Sequence, residues 1–344
     1  MGDSLTPKQR LLRVLRREPV DRPPVICPGG MMNAAIVEIM RETGHTLPEA
    51  HDDPIRMAEL AQDIHRHTGF ENLGVPFCMT VEAELLGSET DLGTLECEAK
   101  IVKERFSSVS SVDYQDAAAL AKTGRVEVVV EAAHKIARDN PDVPVIAALT
   151  GPISTAASIV DPITFYKEMR KDPSATERVL DYVTDFLGIF AERLAANNGV
   201  TAIAVGDPSA TGEILGPAMF ERYALHYLNR LADRVHKLGI PFILHICGNI
   251  RSVRKLLPQL HADALSTDAL VNLPALKREF PSITTMGNVS TFALQWSSAE
   301  QIRTVTRRLI DDGVNIISPA CGLSTSTSLT TIRAMTDEAR KGNS

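Results

Sequence analysis

Apolar positions fall along this chain in two rhythms. Eight short segments are apolar almost without interruption: "RPPVICPG" (22–29), "NLGVPFC" (72–78), "VPVIAALTG" (143–151), "VTAIAVGD" (200–207), "PFILHICG" (241–248), "ADALSTD" (262–268), "SITTMGN" (282–288) and "NIISPACG" (315–322). Such runs, mostly without polar alternation, are the pattern of parallel strands covered on both faces. Helical spacing fills the intervals. In "DPSATERVLDYVTDFLGIFAERLAANNG", Val179, Val183, Phe186, Leu187, Phe190 and Leu194 share one face, with Pro173 near the start and Gly199 past the end. In "GPAMFERYALHYLNRLADRVHKLG", Pro217 opens the helix, Gly239 closes it, and Phe220, Ala224, Leu228, Leu231 and Val235 line one face. Each helix runs into the next strand, which is the alternation of a parallel α/β sheet.

Eight such units predict a TIM (β/α)8 barrel. An open doubly wound sheet is the alternative, and no G-x-G-x-x-G or phosphate-binding loop follows the first segment to support it. "TPKQRLLRVLRR" predicts an N-terminal helical extension. Its Thr6–Pro7 pair is a helix cap, although "MGDSLT" also fits a myristoylation template through Gly2. Residues from about 87 to 125 break the rhythm and read as a hairpin or two and a linker, inserted after the second strand. The expectation is one domain over 1–344.

Composition narrows the function. The chain has 344 residues, 44% hydrophobic and 23% charged, with a formal net charge of −7, the balance of a globular enzyme without a basic nucleic-acid surface. No apolar run is long enough for a membrane helix. Five cysteines, an odd and sparse set, do not form a disulfide framework and fit a reduced, cytoplasmic protein without a signal peptide.

Candidate chemistry lies at the C-terminal strand ends, which form the active-site face of a barrel. His245 and Cys247, two apart on a strand, share a face, and Gly248 then lets the chain turn. Cys321 holds the matching place on the last strand, again before a glycine. Strands five and eight are three apart, so these ends can meet at the barrel mouth. One imidazole and two thiolates would suit Zn2+ with an open fourth position. A simpler reading also stands at this point: cysteine is often a small buried hydrophobe, and a strand histidine is usually a hydrogen-bonded core residue. Other strand ends carry Asp207, Asn249, Asp268, Asn288 and Ser290, with Glu82 and Glu84 after the second strand. Turn and cap roles exist for several of them. Glu84 and Asp207 are the expected catalytic residues, Glu84 as an exchangeable zinc ligand or a proton acceptor. Asn249, Asn288 and Ser290 are the expected cofactor-binding residues. Cys27 and Cys78 are expected to line a pocket, and Cys97 to be structural.

"LHICGN" and "PACG", with looser matches in "VPFCMTVEAELLG", "AIAVGDPSA" and "GNVST", resemble the cobalamin-dependent methyltransferases related to methylcobamide:coenzyme M methyltransferase. Those enzymes stand within the uroporphyrinogen decarboxylase superfamily. The resemblance covers nearly the whole chain. It implies a TIM barrel, zinc on His245, Cys247 and Cys321, and a methylated corrinoid, free or on a carrier protein. The substrate it implies is a small methyl donor or acceptor, a thiol such as coenzyme M above all. Relatives that demethylate methyl ethers or amine-linked donors, or pass methyl to tetrahydrofolate, give the alternatives. Porphyrinogen decarboxylation is disfavoured, because the arginine-bearing segment of true decarboxylases reads "CPGGMMNAAI" here. A non-enzymatic corrinoid carrier is disfavoured too, because the D-x-H-x-x-G pattern of histidine-ligated carriers is missing.

Overall fold

The computed structural model describes residues 5–341. Its first helix, Pro7–Leu15, opens as the Thr6–Pro7 pair predicts. The Thr6 hydroxyl accepts from the Gln9 amide, and the Gln9 side chain accepts from the Thr6 amide at 3.0 Å. Gly2, on which the myristoylation template turns, lies outside the described residues.

The strands are β1 (Leu73–Val75), β2 (Glu89–Asp91), β3 (Lys100–Lys103), β4 (Val145–Thr150), β5 (Ala202–Gly206), β6 (Phe242–Ile246), β7 (Ala264–Thr267) and β8 (Thr285–Met286). Six of them form one parallel sheet in the order β1-β4-β5-β6-β7-β8. Flanking helices Gly124–Asp139, Pro173–Ala195 and His226–Lys237 precede β4, β5 and β6. β4 and β6 are buried at every position, the reason they read as unbroken apolar runs.

Two expected strands are not strands. Segments 22–29 and 315–322 form only isolated parallel bridges: Val25 to Ile317 joins the two, Met286 to Ile316 joins the second to β8, and Val289 to Pro319 joins it to the residues after β8. Prolines explain this. Pro23, Pro24, Pro28 and Pro319 have no amide hydrogen to give a ladder. Beside β1, the Asn72 side chain replaces the ladder, accepting from the Cys27 amide at 2.8 Å and donating to the Cys27 carbonyl at 2.9 Å.

Alternation along the strands sorts two faces. Val145, Ala147 and Leu149 join the large core under the helices, together with Ile203, Val205, Phe242 and Leu244. Ile146, Ala148, Ala202, Ala204 and Ile243 face inward with Ile26, Met286 and Ile316. The inward column therefore ends in Ala148 and Thr150 on β4, Ala204 and Gly206 on β5, and His245 on β6. Small side chains next to a histidine leave space at that end.

The helix face over Pro173–Ala195 is buried as the periodicity predicts. The next one restarts at Pro217, after Gly216 leaves helical geometry, and runs through a π-turn over Phe220–Leu225 before His226–Lys237. The segment after β1 holds one antiparallel hairpin, β2–β3, then a short helix, Ala117–Leu120. Arg125, at the edge of the expected insertion, belongs instead to helix Gly124–Asp139. Among the described residues no helix is long and apolar enough to cross a membrane.

Candidate metal centre

β6 carries His245 on its inward face, opposite Gly206 of β5 and Ser266 of β7. The imidazole is buried and bonded on both nitrogens. Nδ1 is 2.9 Å from the Ser266 hydroxyl, and Nε2 is 3.0 Å from Cys247 Sγ. Cys247 lies just past the end of β6, and Gly248 follows with a φ of +68°, a conformation that favours glycine. Cys321 comes from the bridged segment after Pro319 and places its Sγ 3.3 Å from that of Cys247. The three ligand atoms all lie within 4.8 Å of one another. Tetrahedral zinc, with bonds of about 2.0–2.3 Å, sets its donors about 3.5 Å apart. One imidazole and two thiols at these spacings fit that ion in both chemistry and size.

The two thiols share a proton unequally. The Cys247 S–H drawn toward Cys321 pulls the Cys321 thiol well below its ordinary value, against burial, and His245 adds to the effect. Cys247 is pushed up by the same contact, by burial and by the charges of Cys321 and Asp268. One sulfur is therefore ready to bind a cation as thiolate.

Asp268, which the sequence reading left out of its site, is a carboxylate whose charge acts on Cys247. It closes β7, and its Oδ2 is 3.4 Å from the Gly248 amide. The "STD" at the end of the strand beside "HIC" was the available signal.

The other expected residues are placed differently. Asp207 is fully buried and accepts from the Ser154 amide at 2.8 Å, the Ser154 hydroxyl at 2.6 Å and the Ile153 amide at 3.1 Å. It thereby caps helix Pro152–Ile159, whose own N-cap, Gly151, has no side chain to do so. Burial raises its carboxyl to about 6. Glu84 turns toward the insertion, where it accepts from Arg125 at 2.6 Å and from the Thr90 hydroxyl at 2.9 Å. It is not one of the clustered ligands. The inward carboxylate is Glu82, two positions earlier on helix Val81–Leu85 and so on the opposite face. Glu82 accepts from the Thr150 amide at 2.8 Å and hydroxyl at 2.9 Å, and burial raises it to about 7. Asn249 is exposed and accepts from the Arg251 amide. Asn288 donates to the carbonyls of Asp268 and Val271, each at 2.8 Å. Ser290 caps helix Thr291–Trp296.

Beside His245 lies a narrow pocket. His245, Ser266, Cys78 and Thr150 line it, with Gly29 of the first segment and Gly30, Met31 and Met32 just after it. Cys78 receives an N–H from the buried Arg125 at 2.8 Å. Cys27 is buried behind this loop and donates to the Met32 carbonyl. Cys97, expected to be structural, is exposed on the β2–β3 loop, where its side chain braces no core. The arrangement can hold a borderline cation by one nitrogen and two sulfurs beside this pocket.

The sequence profile of the uroporphyrinogen decarboxylase (URO-D) family matches residues 6–342. The methylcobamide:CoM methyltransferase MtbA of Methanosarcina acetivorans is 30% identical over 337 residues, which cover 97% of this chain and 98% of that protein. MtaA of Methanosarcina barkeri, also a methylcobamide:CoM methyltransferase, is 30% identical, with 96% of each chain covered. The solved structure of a methyltransferase from Methanosarcina mazei superposes with a TM-score of 0.90 at 28% identity, over 98% of this chain and 99% of that one. The chain belongs to the uroporphyrinogen decarboxylase family and, within it, groups with the methylcobamide:CoM methyltransferases.

Proposed function

We propose that this protein is a zinc- and corrinoid-dependent methyltransferase that moves a methyl group between a methylcorrinoid and a small thiol of the coenzyme M kind. The observation that carries the reading is the His245–Cys247–Cys321 group, with its ligand atoms within 4.8 Å, beside the narrow pocket. The names of the full-length relatives give the reaction: both are methylcobamide:CoM methyltransferases. In the forward direction a thiol loses its proton, its sulfur takes the methyl group, and a thioether and cob(I)alamin result.

His245, Cys247 and Cys321 would hold zinc, which when bound would lower the pKa of a substrate thiol, while the two thiolate ligands would leave its sulfur nucleophilic. Ser266 accepts the Nδ1 proton of His245, which frees Nε2 as the ligand atom. Asp268, whose charge acts on Cys247, is the carboxylate we assign to taking the thiol proton. Gly29, Gly30, Met31 and Met32 line the pocket. Asp207 acts through the scaffold, fixing the end of β5 to helix Pro152–Ile159.

Around this site we read the six-stranded sheet and its two bridged segments as one closed, distorted (β/α)8 barrel over 1–344. The bridges Val25 to Ile317 and Met286 to Ile316 support that closure. The partner this reading implies is a corrinoid carrier protein. Five unpaired cysteines support a reducing, cytoplasmic setting.

Zinc-edge absorption spectroscopy tests the core claim. Coenzyme M and related thiols should add a sulfur to the zinc shell, and an unchanged shell with every thiol removes the thiol reading. Metal analysis should find zinc lost from Cys247→Ala and Cys321→Ala, and full retention in both removes the ligand assignment.

A further inference from the structure

Cys247 stands outside the ladder that holds its neighbour His245. The β6–β7 register ends at the Ile246–Thr267 pair, one residue before the cysteine. The chain then turns at Gly248, whose φ is +68°. The amides of this turn go to side chains and not to a neighbouring strand. The Gly248 N–H donates to Asp268 Oδ2 and the Asn249 N–H donates to Glu213 Oε2, each at 3.4 Å. The Asn249 side chain closes the turn from within by accepting from the Arg251 amide at 2.9 Å. Two carboxylates thus bracket the residues after Cys247, Asp268 from the end of β7 and Glu213 from the segment after β5.

The approach of Glu213 is built into the backbone. A Cβ added to Gly248 would stand 3.1 Å from Glu213 Oε2, so the carboxylate lies directly against the turn. A Cβ added to Gly212 would run into Ser252 Oγ and stand 3.2 Å from the Asn249 carbonyl oxygen, and the Ser252 hydroxyl donates to the Gly212 carbonyl at 3.1 Å. Glycines 212 and 248 therefore let the two segments meet on either side of Glu213. Glu213 itself has a firm base. Thr211 caps its turn by accepting from the Ile214 amide at 3.2 Å, Leu215 bonds back to the Thr211 carbonyl at 3.0 Å, and the Leu215 side chain is buried. Gly216 then leaves helical geometry before Pro217, which sets this turn off from the long helix that follows. Glu213 forms no ion pair among the described residues, and its carboxylate is committed to the Asn249 amide.

We propose that Glu213 is a positioning residue of the metal centre: its carboxylate clamps the Gly248–Asn249 turn and so sets where Cys247 Sγ stands, an inference that rests on the zinc ligands of the function proposed above. A donor on a turn that is already held has less freedom to lose when the ion binds.

Metal-free protein gives the first readout. Amide hydrogen exchange of the peptide holding Gly248 and Asn249 should be faster in Glu213→Ala than in wild type. It should be unchanged in Glu213→Gln, whose amide oxygen still accepts from Asn249. Zinc affinity, by competition with a chromophoric chelator, should fall about 10-fold in Glu213→Ala and stay close to wild type in Glu213→Gln. In cobalt-substituted protein the sulfur-to-cobalt absorption should shift in Glu213→Ala alone, a signature that a general loss of stability does not give. Glu300→Ala removes an exposed carboxylate from helix Ala299–Asp311 and should match wild type throughout. Wild-type exchange and zinc affinity in Glu213→Ala overturn the inference. So does an equal loss in Glu213→Gln, which would assign the effect to charge, or an equal loss in Glu300→Ala. The two proposals fail separately. Full zinc retention in Cys247→Ala removes the ligand assignment, while exchange in the metal-free protein still decides whether Glu213 holds the turn. Wild-type behaviour of Glu213→Ala beside zinc loss in Cys247→Ala removes the clamp and leaves the function.

Discussion

At the scale of single residues, the metal centre depends on a hydroxyl. A metal-bound histidine usually gives its second N–H to a carboxylate or a carbonyl. Here the partner of His245 Nδ1 is Ser266, fully buried, with the Met32 sulfur on its far side. Ser266→Ala removes the group that fixes tautomer and ring angle while leaving all three ligands. Zinc affinity should fall about 10- to 100-fold, read by competition with a chromophoric chelator. Unchanged affinity would mean that the strand alone orients the ring. Glu82 makes a second residue-scale case. Its carboxyl stands at about 7 in the folded protein against an ordinary 4.5, because it is buried beside Thr150. A carboxyl raised by folding contributes most below 4.5, and that contribution is lost as the pH rises to about 7. Glu82→Gln keeps the shape, with the amide carbonyl accepting from the Thr150 N–H and the NH2 meeting the hydroxyl. Wild-type stability relative to this variant should fall by on the order of 3 kcal/mol between pH 4.5 and pH 7, measured by urea unfolding. A difference independent of pH would show that Glu82 is ionised in both states.

At the scale of elements, what the sequence revealed and what it withheld have separate causes. The six ladder strands and the long helices were legible, because burial on both faces leaves runs and burial on one face leaves a period. The meeting of Cys321 with His245 and Cys247 was legible because both chain segments end in Cys-Gly at matching strand ends. The choice between Glu82 and Glu84 was not. It depends on a short helix, Val81–Leu85, directly after β1, whereas "VEAEL" reads equally well as a loop. Asp268 was hidden because its nearness to Cys247 follows from the β6–β7 register, which no local pattern fixes. The loss of ladder at 22–29 follows from prolines and from Asn72, a residue some 45 positions away that supplies the missing bonds. That replacement brings segment 22–29 close to β1. A Cβ added to Gly74 would stand 2.5 Å from the Pro28 carbonyl oxygen, so Gly74 is the contact that lets this segment sit down. Gly74→Ala should cost about 1–3 kcal/mol in urea unfolding, since backbone meets backbone and neither can swing away. It should also raise the KM of the thiol by displacing the loop that carries Met31 and Met32. A stable variant with native KM would show that the two segments separate freely.

At the scale of the whole molecule, chemistry and cohesion occupy opposite ends of the sheet. The C-terminal strand ends hold the three donors and the pocket. The N-terminal ends hold a buried ion network. Glu71, just before β1, accepts from Arg10 at 2.9 Å, from both terminal nitrogens of Arg22 at 2.8 Å and from the Val25 amide at 3.0 Å. Arg10 also donates to Asp21 through two nitrogens at 2.7 Å. One carboxylate thus fastens the N-terminal helix, the start of segment 22–29 and the entry to β1, the parts of the sheet where the ladder is weakest. Glu71→Gln keeps the shape but removes a negative charge that two buried guanidinium groups share, and such breaks cost about 3–5 kcal/mol. The midpoint of chemical unfolding should drop accordingly. Under conditions where the variant is still folded, zinc stoichiometry should match wild type, because none of the three ligands is among the network partners just named. A loss of zinc affinity in the folded variant would tie the two ends together: the edge segment that Glu71 anchors bridges to the one that brings Cys321, so slack at Val25 would then be reaching the metal through Ile317.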